Sequence, residues 1–406
     1  MTLFPAFLCR PMRALVTGLC LIFGVASLHV APAGAASLKS CVAGLKRAAI
    51  KAGVNRSVAA QALDGVTFDE KAVRFSRTQP EYKIPIWDYM AFLVDDVRIA
   101  TGRKMMKKHD GTLRAVEKAY GVDRHVITAL WGVESDFGKI KGDFFLPHAL
   151  ANVICAGRKP KFFKNELIQG LKLVTRGDLK LKDLRGSWAG AFGQAQFLPS
   201  TYVRYAVDFD RDGRRDLVHS VPDALASAAN FIRKAGWRPG QSWGYEVRVP
   251  KGYKGQSGRK RRASMATWSK RGIKRLNGKK LSGKRKAALI LPAGPKGPGF
   301  LVFRNFNALY SYNAAVAYAL AISHLSERLK GGGPFRKPWP TNDPGLSRAQ
   351  RLDLQKLLIK NGYDIGEADG RIGPITMAAI KKAEKKFGMR QTGRPGTKIY
   401  RALGGK

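Results

Sequence analysis

The sequence predicts a mainly α protein carrying a second, small helical unit at its C-terminal end. Three observations lead there. From residue 36 to about residue 250, apolar side chains recur at the helical period, interrupted by Gly and Pro and with few long β-branched alternations. Asn313 to Leu329 repeats the pattern, with Ala317, Leu320, Ala321, Leu325 and Leu329 near one face. Beyond a Gly/Pro-rich break, residues 346–406 hold two more readable helices, Ala349 to Asn361 and Pro374 to Phe387. The 406 residues suffice for two or three domains, and 45% hydrophobic with 25% charged residues are ordinary globular values. A disulfide-stapled miniprotein, a disordered chain and a multi-span membrane protein are thereby excluded.

Taken in order, the chain begins with Arg10 and Arg13 ahead of an apolar stretch from Ala14 to Leu28. The small-residue run Ala31-Pro32-Ala33-Gly34-Ala35-Ala36 follows. That is the pattern of a secretory signal peptide over residues 1–35, cleaved near Ala35, and it predicts a periplasmic protein. The stretch is short for a spanning helix, and only its retention as an anchor would hold the protein near a membrane. Cys9 and Cys20 leave with the leader. Cys41 and Cys155 remain and suggest one disulfide, two separate buried thiols being the alternative. Lys plus Arg number 73 against 29 acids, a net charge of +44, so a polyanionic partner is expected. Export makes genomic DNA an improbable one.

Residues 121–138 read GVDRHVITALWGVESDFG, with Asp123 as N-cap and Gly138 as stop. Glu134 stands near the helix end with Leu130 and Trp131 one turn back and Ile127 two, so its carboxyl emerges from the apolar face. A charge buried there is costly. Either a cation pairs with it, or its pKa rises until it is protonated near neutrality, the condition a general acid needs. Spacing alone leaves both open. Asp136, two positions on, cannot share that face. A second stretch, GSWAGAFGQAQFLPS from Gly186 to Ser200, is dense in Gly and Ala around single polar side chains, suiting either tight packing or close approach of a bulky ligand.

Residues 251–286 contain fifteen Lys or Arg and no acid, which reads as a solvated or mobile basic excursion, the alternative being a polymer-binding surface. Ala287 to Phe303 suggests a short hairpin. A linker is expected over 333–345. In the tail, Pro374 suits a first helical position, and Ile380, Ala383 and Phe387 then share a face.

GVESDFG, GSWAGAFGQAQFLPSTY, AVDFDRDG and NFNALYSYN occur in the order seen in the membrane-bound lytic murein transglycosylase B family, which residues 38–330 resemble. The tail resembles a peptidoglycan-binding type 1 domain through Leu354-Gln355, Gly362-Tyr363, Asp369-Gly370 and Gly373-Pro374-Ile375-Thr376. The resemblance implies a lysozyme-like catalytic domain over 36–332 and a three-helix peptidoglycan-binding domain over 346–406. It also implies cleavage of the MurNAc-GlcNAc β-1,4 bond to 1,6-anhydromuramoyl products. Carried over by motif, Glu134 matches the single catalytic acid/base, Ser187 and Gln196 match residues facing the cleaved sugar, and Tyr312, Asn313 and Tyr318 match the lining of the active site. Phe192 and Leu198 stand where many relatives carry Met. Peptidoglycan is the implied partner, and no cofactor is required.

Asp208, Asp210, Asp212 and Asp216 fall at positions 1, 3, 5 and 9 of an EF-hand-like loop with Gly213 at 6, but position 12 is His219 instead of Glu. Relatives resemble a longer loop closed by a later acid, and Asp223 is available. A structural Ca2+ there competes with a solvated acidic turn neutralised by Arg211, Arg214 and Arg215. His109, His125, His148, His219 and His324 form no metal-ligand spacing, and no nucleic-acid motif is present. The rival readings are a hydrolytic muramidase on the same fold and a catalytically idle wall-binding scaffold.

Overall fold

The structure is a computed structural model that describes residues 33–77 and 84–406. The leader read at residues 1–35 therefore lies outside the described residues, apart from Ala33–Ala35 at the start of the first helix.

The helical body opens with α1 (Ala33–Lys51), α2 (Arg56–Leu63), α3 (Glu70–Ser76), α4 (Ile86–Leu93), α5 (Asp96–Lys108) and α6 (Asp110–Tyr120). It continues with α7 (Arg124–Ser135), α8 (Leu146–Cys155), α9 (Pro160–Thr175), α10 (Pro199–Tyr205) and α11 (Val221–Lys234). Between α7 and α8 lies β1 (Phe144–Phe145), which pairs antiparallel with β2 (Arg185–Gly186). α7 is the centre of this body, since every residue from Val126 to Gly132 is buried. A helix apolar all round belongs inside, packed on several sides. α5, α6 and α11 pack around it, as does α14 (Val316–Leu329), whose residues Tyr318 to Ser326 are buried throughout. Cys41 of α1 and Cys155 of α8 are joined by a disulfide with Cα atoms 5.9 Å apart. It closes a loop of 114 residues around the first part of the body.

The basic stretch is folded, which corrects its reading as a mobile excursion. It contributes β4 (Arg262–Ser264), α12 (Met265–Lys270) and β5 (Lys274–Arg275) to an antiparallel sheet with β3 (Gly244–Arg248), β6 (Lys286–Ile290) and β7 (Gly299–Val302), ordered β4-β6-β7-β3-β5. The expected hairpin is the β6–β7 pair, with Leu289 opposite Leu301. Its two apolar faces serve two cores. Ala288, Ile290, Phe300 and Val302 join the helical body, while Ala287, Leu289 and Leu301 meet Met265, Trp268, Ile273 and Leu281 on the other side. Four apolar anchors among fifteen cations suffice because the strands that cover them lie outside the stretch, before residue 249 and after residue 286.

α13 (Arg304–Tyr310) leads from the sheet into α14. Residues 333–345 then run strapped along the body. Phe335 stacks on His324 with ring centroids 3.8 Å apart, and the N–H groups of Arg336 and Lys337 donate to Glu246 at 2.8 Å each. The tail comprises α15 (Arg348–Lys360), α16 (Pro374–Lys386) and α17 (Thr397–Ala402) around a core of Leu346, Leu354, Leu358, Ile380, Ala383 and Ile399. Ser347 and Gln350 form a capping box that starts α15. The tail docks on the body through ion pairs. Arg394 grips buried Asp88 in α4 at 2.5 and 2.6 Å, and Arg348 bonds Asp95, the N-cap of α5, at 2.9 Å. Among the described residues no helix is long and apolar enough to cross a membrane.

Candidate functional site

Glu134 is the penultimate residue of α7 and half-buried. The helix ends because Asp136 and Phe137 turn left-handed, at φ 48° and 60°, sending the chain back so that the Phe137 ring covers Gly132. A Cβ at Gly132 would lie 2.6 Å from that ring, so the close packing requires glycine there. Ser135 fixes the turn by donating to the Gln194 carbonyl at 2.8 Å, and Trp131 Nε1 donates to Gln194 Oε1 at 3.1 Å. The end of α7 is thus bolted to the Gly/Ala-rich loop between β2 and α10.

That loop is an irregular coil closed by bridges of Gly186 with Phe192 and of Phe192 with Phe197. Gly193 has φ 71°, and any Cβ there would press to 2.6 Å on the Leu217 carbonyl oxygen, so the loop lies against the chain near the acidic turn. Ser187 closes the loop's first turn, its Oγ accepting from the Ala191 N–H at 3.1 Å. Gln196, at φ 47°, donates through Nε2 to the carbonyls of Lys141 and Gly193, both at 2.9 Å.

The third wall comes from the segment joining α13 to α14 and from the first turn of α14. The Tyr318 hydroxyl donates to Glu134 Oε1. Tyr312 lies parallel to Tyr318, centroids 6.3 Å apart, and donates to the Ala195 carbonyl at 2.5 Å. Asn313, the next residue, is half-buried beside it. Of the sequence-predicted residues, the structure unites Glu134 and Tyr318 by direct contact, brings Tyr312 against Tyr318 and the loop, and places Ser187, Gln196 and Asn313 on the same two segments.

The electrostatics bear on the alternative left open at Glu134, for which the structure shows no ion pair among the described residues. Burial pushes its carboxyl up to about 7, and the Tyr318 hydrogen bond offsets only part of that rise. Among the described residues no cation contributes, and neither does a second carboxylate. Burial, followed by the Glu134 charge, holds the Tyr312 and Tyr318 hydroxyls well above the ordinary tyrosine value, so both remain donors. The site is one carboxyl poised between its two protonation states near neutrality, beside two phenols that stay protonated.

Gln194 and Arg348 escaped the sequence reading. Gln194 sits inside the GSWAGAFGQAQ stretch, and its amide among small residues was a usable signal. Arg348 lies 212 residues from Asp136, whose carboxylate it bonds at 2.7 Å, and no local pattern marks it.

The acidic turn gathers Asp208, Asp210, Asp212 and Asp223, with ligand-type oxygens all within 4.8 Å of one another. Asp216 does not join them; its Oδ1 accepts from the N–H groups of Val218 and His219 at 2.8 Å each. Asp223 is fully buried on α11 and accepts from Phe209 and Asp216 backbone N–H groups, while Asp208 Oδ1 is buried with no partner.

Comparison with known proteins finds relatives for both parts of the chain. A family model described as "Transglycosylase SLT domain" matches residues 37–327, and one described as "Putative peptidoglycan binding domain" matches residues 347–403. The solved structure of SltB3 from Pseudomonas aeruginosa in complex with NAG-anhNAM-pentapeptide is 38% identical. It covers 90% of this chain and 99% of its own, with a TM-score of 0.72. The Escherichia coli transglycosylase Slt35, solved in complex with calcium, is 24% identical with a TM-score of 0.63 over 73% of this chain and 93% of its own, a likeness of fold. The membrane-bound lytic murein transglycosylase B of Escherichia coli is 28% identical over 243 residues, 58% of this chain and 64% of that relative's length. The fold is the mainly helical, lysozyme-like one of these proteins, followed by the small tail.

Proposed function

The chain belongs to the family described as the transglycosylase SLT domain, and from that membership we propose that it is a lytic murein transglycosylase with Glu134 as its single acid/base. The observation that carries the reading is the Glu134 carboxyl, raised to about 7 by burial and held through Oε1 by the Tyr318 hydroxyl. Such a group is half protonated near neutrality, where donation and later recovery of a proton are both accessible. With Oε1 occupied, Oε2 is the oxygen that carries the proton.

In this reading, Glu134 Oε2–H protonates the glycosidic oxygen as the bond from muramoyl C1 breaks, and the GlcNAc departs as an alcohol. The substrate's N-acetyl group stabilises the positive charge at C1. The Glu134 carboxylate next removes the proton of the muramoyl C6 hydroxyl, whose oxygen bonds to C1 and closes the 1,6-anhydro ring. The carboxyl is restored and no water is consumed. Proximity of C6 to C1 replaces the second carboxylate that most glycosidases place beside the first. Tyr312 and Tyr318 keep Oε1 and the adjacent loop in register, while Ser187, Gln196 and Asn313 supply hydrogen-bonding groups to the sugar.

The tail belongs to this proposal as a wall-binding module, and residues 1–35 as an export leader that places the enzyme in the periplasm. The residues of the acidic turn fit a hard cation, since four carboxylates converge and one of their buried oxygens lacks a partner. Asp208, Asp210, Asp212 and Asp223 would hold Ca2+, which would tie the turn to α11 with no part in the chemistry. Calorimetry of chelator-treated protein should show heat and a raised melting temperature on adding calcium; silence in both leaves a solvated turn.

The deciding experiment is mass spectrometry of soluble muropeptides released from purified sacculi by the protein and by Glu134→Gln. Anhydromuramoyl products that vanish in the variant are expected. Reducing-end products instead establish a hydrolytic muramidase, and bound but intact sacculi establish a scaffold.

A further inference from the structure

The tail grips the body at the residue that ends α7. Asp136 is that helix's C-cap, two positions beyond Glu134, and its N–H donates to the Gly132 carbonyl at 3.1 Å. Asp136 and Phe137 are consecutive non-glycine residues in the left-handed region, which is unfavourable for both unless neighbouring groups hold them there. Phe137 is held by packing on Gly132 and by an edge-on contact with Trp131. Asp136 is held by charge. Its Oδ1 accepts from Arg348 Nη1 at 2.7 Å, with Arg98 Nε of α5 at 3.7 Å. Arg348 Nε bonds Asp95 Oδ2 at 2.9 Å, while Asp95 Oδ1 caps α5 through the Arg98 N–H at 2.7 Å. One guanidinium from the first turn of α15 therefore ties the start of α5 to the end of α7.

Resting on the acid/base role assigned to Glu134, we propose that Arg348 is a positioning residue for the reaction. It fixes the Asp136 turn and so the direction in which Glu134 leaves α7, making the tail part of the frame of the active site as well as a wall anchor. The geometry supports this over simple docking. Arg394 and Arg351 already hold the tail on α4, through Asp88 and through a guanidinium 4.5 Å from the Phe92 ring centre. Neither touches α7. Arg348 alone of these three spans from the tail to the turn beside Glu134, and its two-pronged bond to Asp95 and Asp136 suits a planar fork better than a point charge.

The test compares full-length Arg348→Ala, Arg348→Lys and Arg394→Gln on short soluble peptidoglycan strands. Arg348→Ala should lower kcat by about 10- to 100-fold with KM within about twofold, as displacement of a reacting group by about an ångström does. Arg348→Lys should recover part of that loss. Arg394→Gln, which loosens docking away from α7, should leave kcat within about twofold of the parent. Equal losses in Arg348→Ala and Arg394→Gln, or none in Arg348→Ala, overturn the proposal.

A readout independent of cleavage keeps this inference separable from the function it rests on. The carboxyl carbon of Glu134 can be titrated by NMR in the parent and in Arg348→Ala. Among the described residues, the groups facing the pair are Tyr318 and Tyr312 beside Glu134, Tyr89 of α4 beyond Tyr318, and Arg98 and Arg348 at Asp136. Loss of a nearby cation alone would move the midpoint up. Reorientation of Glu134 toward water should move it down, and a midpoint that rises or stays overturns the proposal even if the parent cleaves no glycan.

Discussion

The two ends of α7 carry acids in opposite conditions. At the N-terminal end, Asp123 caps the helix by accepting from the His125 N–H at 2.8 Å, and Lys330 reaches its other oxygen at 2.6 Å. Burial works against its charge, but those partners outweigh burial and hold the carboxyl well below the ordinary range. Helix N-termini also favour negative charge. At the other end Glu134 has burial, the unfavourable pole of the helix and one neutral phenol, and its carboxyl rises to about 7. The same chemical group keeps its charge at the end of the helix where cations meet it and holds its proton more tightly at the end where, among the described residues, none does.

The comparison can be broken most severely at Glu134. Glu134→Gln should lower turnover by about 100- to 10,000-fold, the usual contribution of a positioned proton donor, while binding to sacculi stays within about twofold. Near-parental turnover would return Glu134 to the structural class of Asp123. The pH dependence sharpens the same point. Activity requiring the protonated acid should decline as pH rises through about 7, and a flat profile from pH 5 to 9 would refute that requirement.

The next effect is smaller and has a fixed sign. The Tyr318 hydrogen bond favours ionised Glu134, so Tyr318→Phe should move the alkaline limb of kcat to higher pH, and a shift downward would contradict the assigned donor. Stability gives a third contrast. A carboxyl raised in the folded state binds its proton more tightly there, so folding loses stability as pH rises from about 4.5 through about 7. Glu134→Gln should therefore melt above the parent at pH 8 and close to it at pH 4, as thermal denaturation will read.

Asp123 should behave in reverse. Its contribution is complete above the unfolded value near 4 and is lost as pH falls toward its depressed folded value. Asp123→Ala should cost about 1 kcal/mol at pH 7, typical of a lost N-cap, with kcat unchanged within about twofold. A loss of turnover matching that of Glu134→Gln would erase the distinction between the two ends.

Much of this was legible in advance. The helical period located α7, α14, α15 and α16 within a few residues, because burial of one face imposes it whatever the helix packs against. Glu134 stood out as an acid on an apolar face, with its two possible explanations stated. The choice between them was not legible. It depends on whether a cation comes near, and the group that does arrive, Tyr318, is 184 residues away. The basic stretch misled for the same reason, since the apolar residues of β3, β6 and β7 that cover Trp268 and Ile273 lie outside it.

The sequence by itself determined the helical frame, the cap at Asp123 and the loop glycines, for these follow from interactions within a few residues. Tertiary structure alone decided that Glu134 meets the Tyr318 phenol, that Asp216 leaves the acidic cluster, and that Arg348 reaches Asp136. Those outcomes turn on distances of a few ångströms between distant parts of the chain. The charge state of a buried group is set by what lies within that range, which local periodicity does not encode.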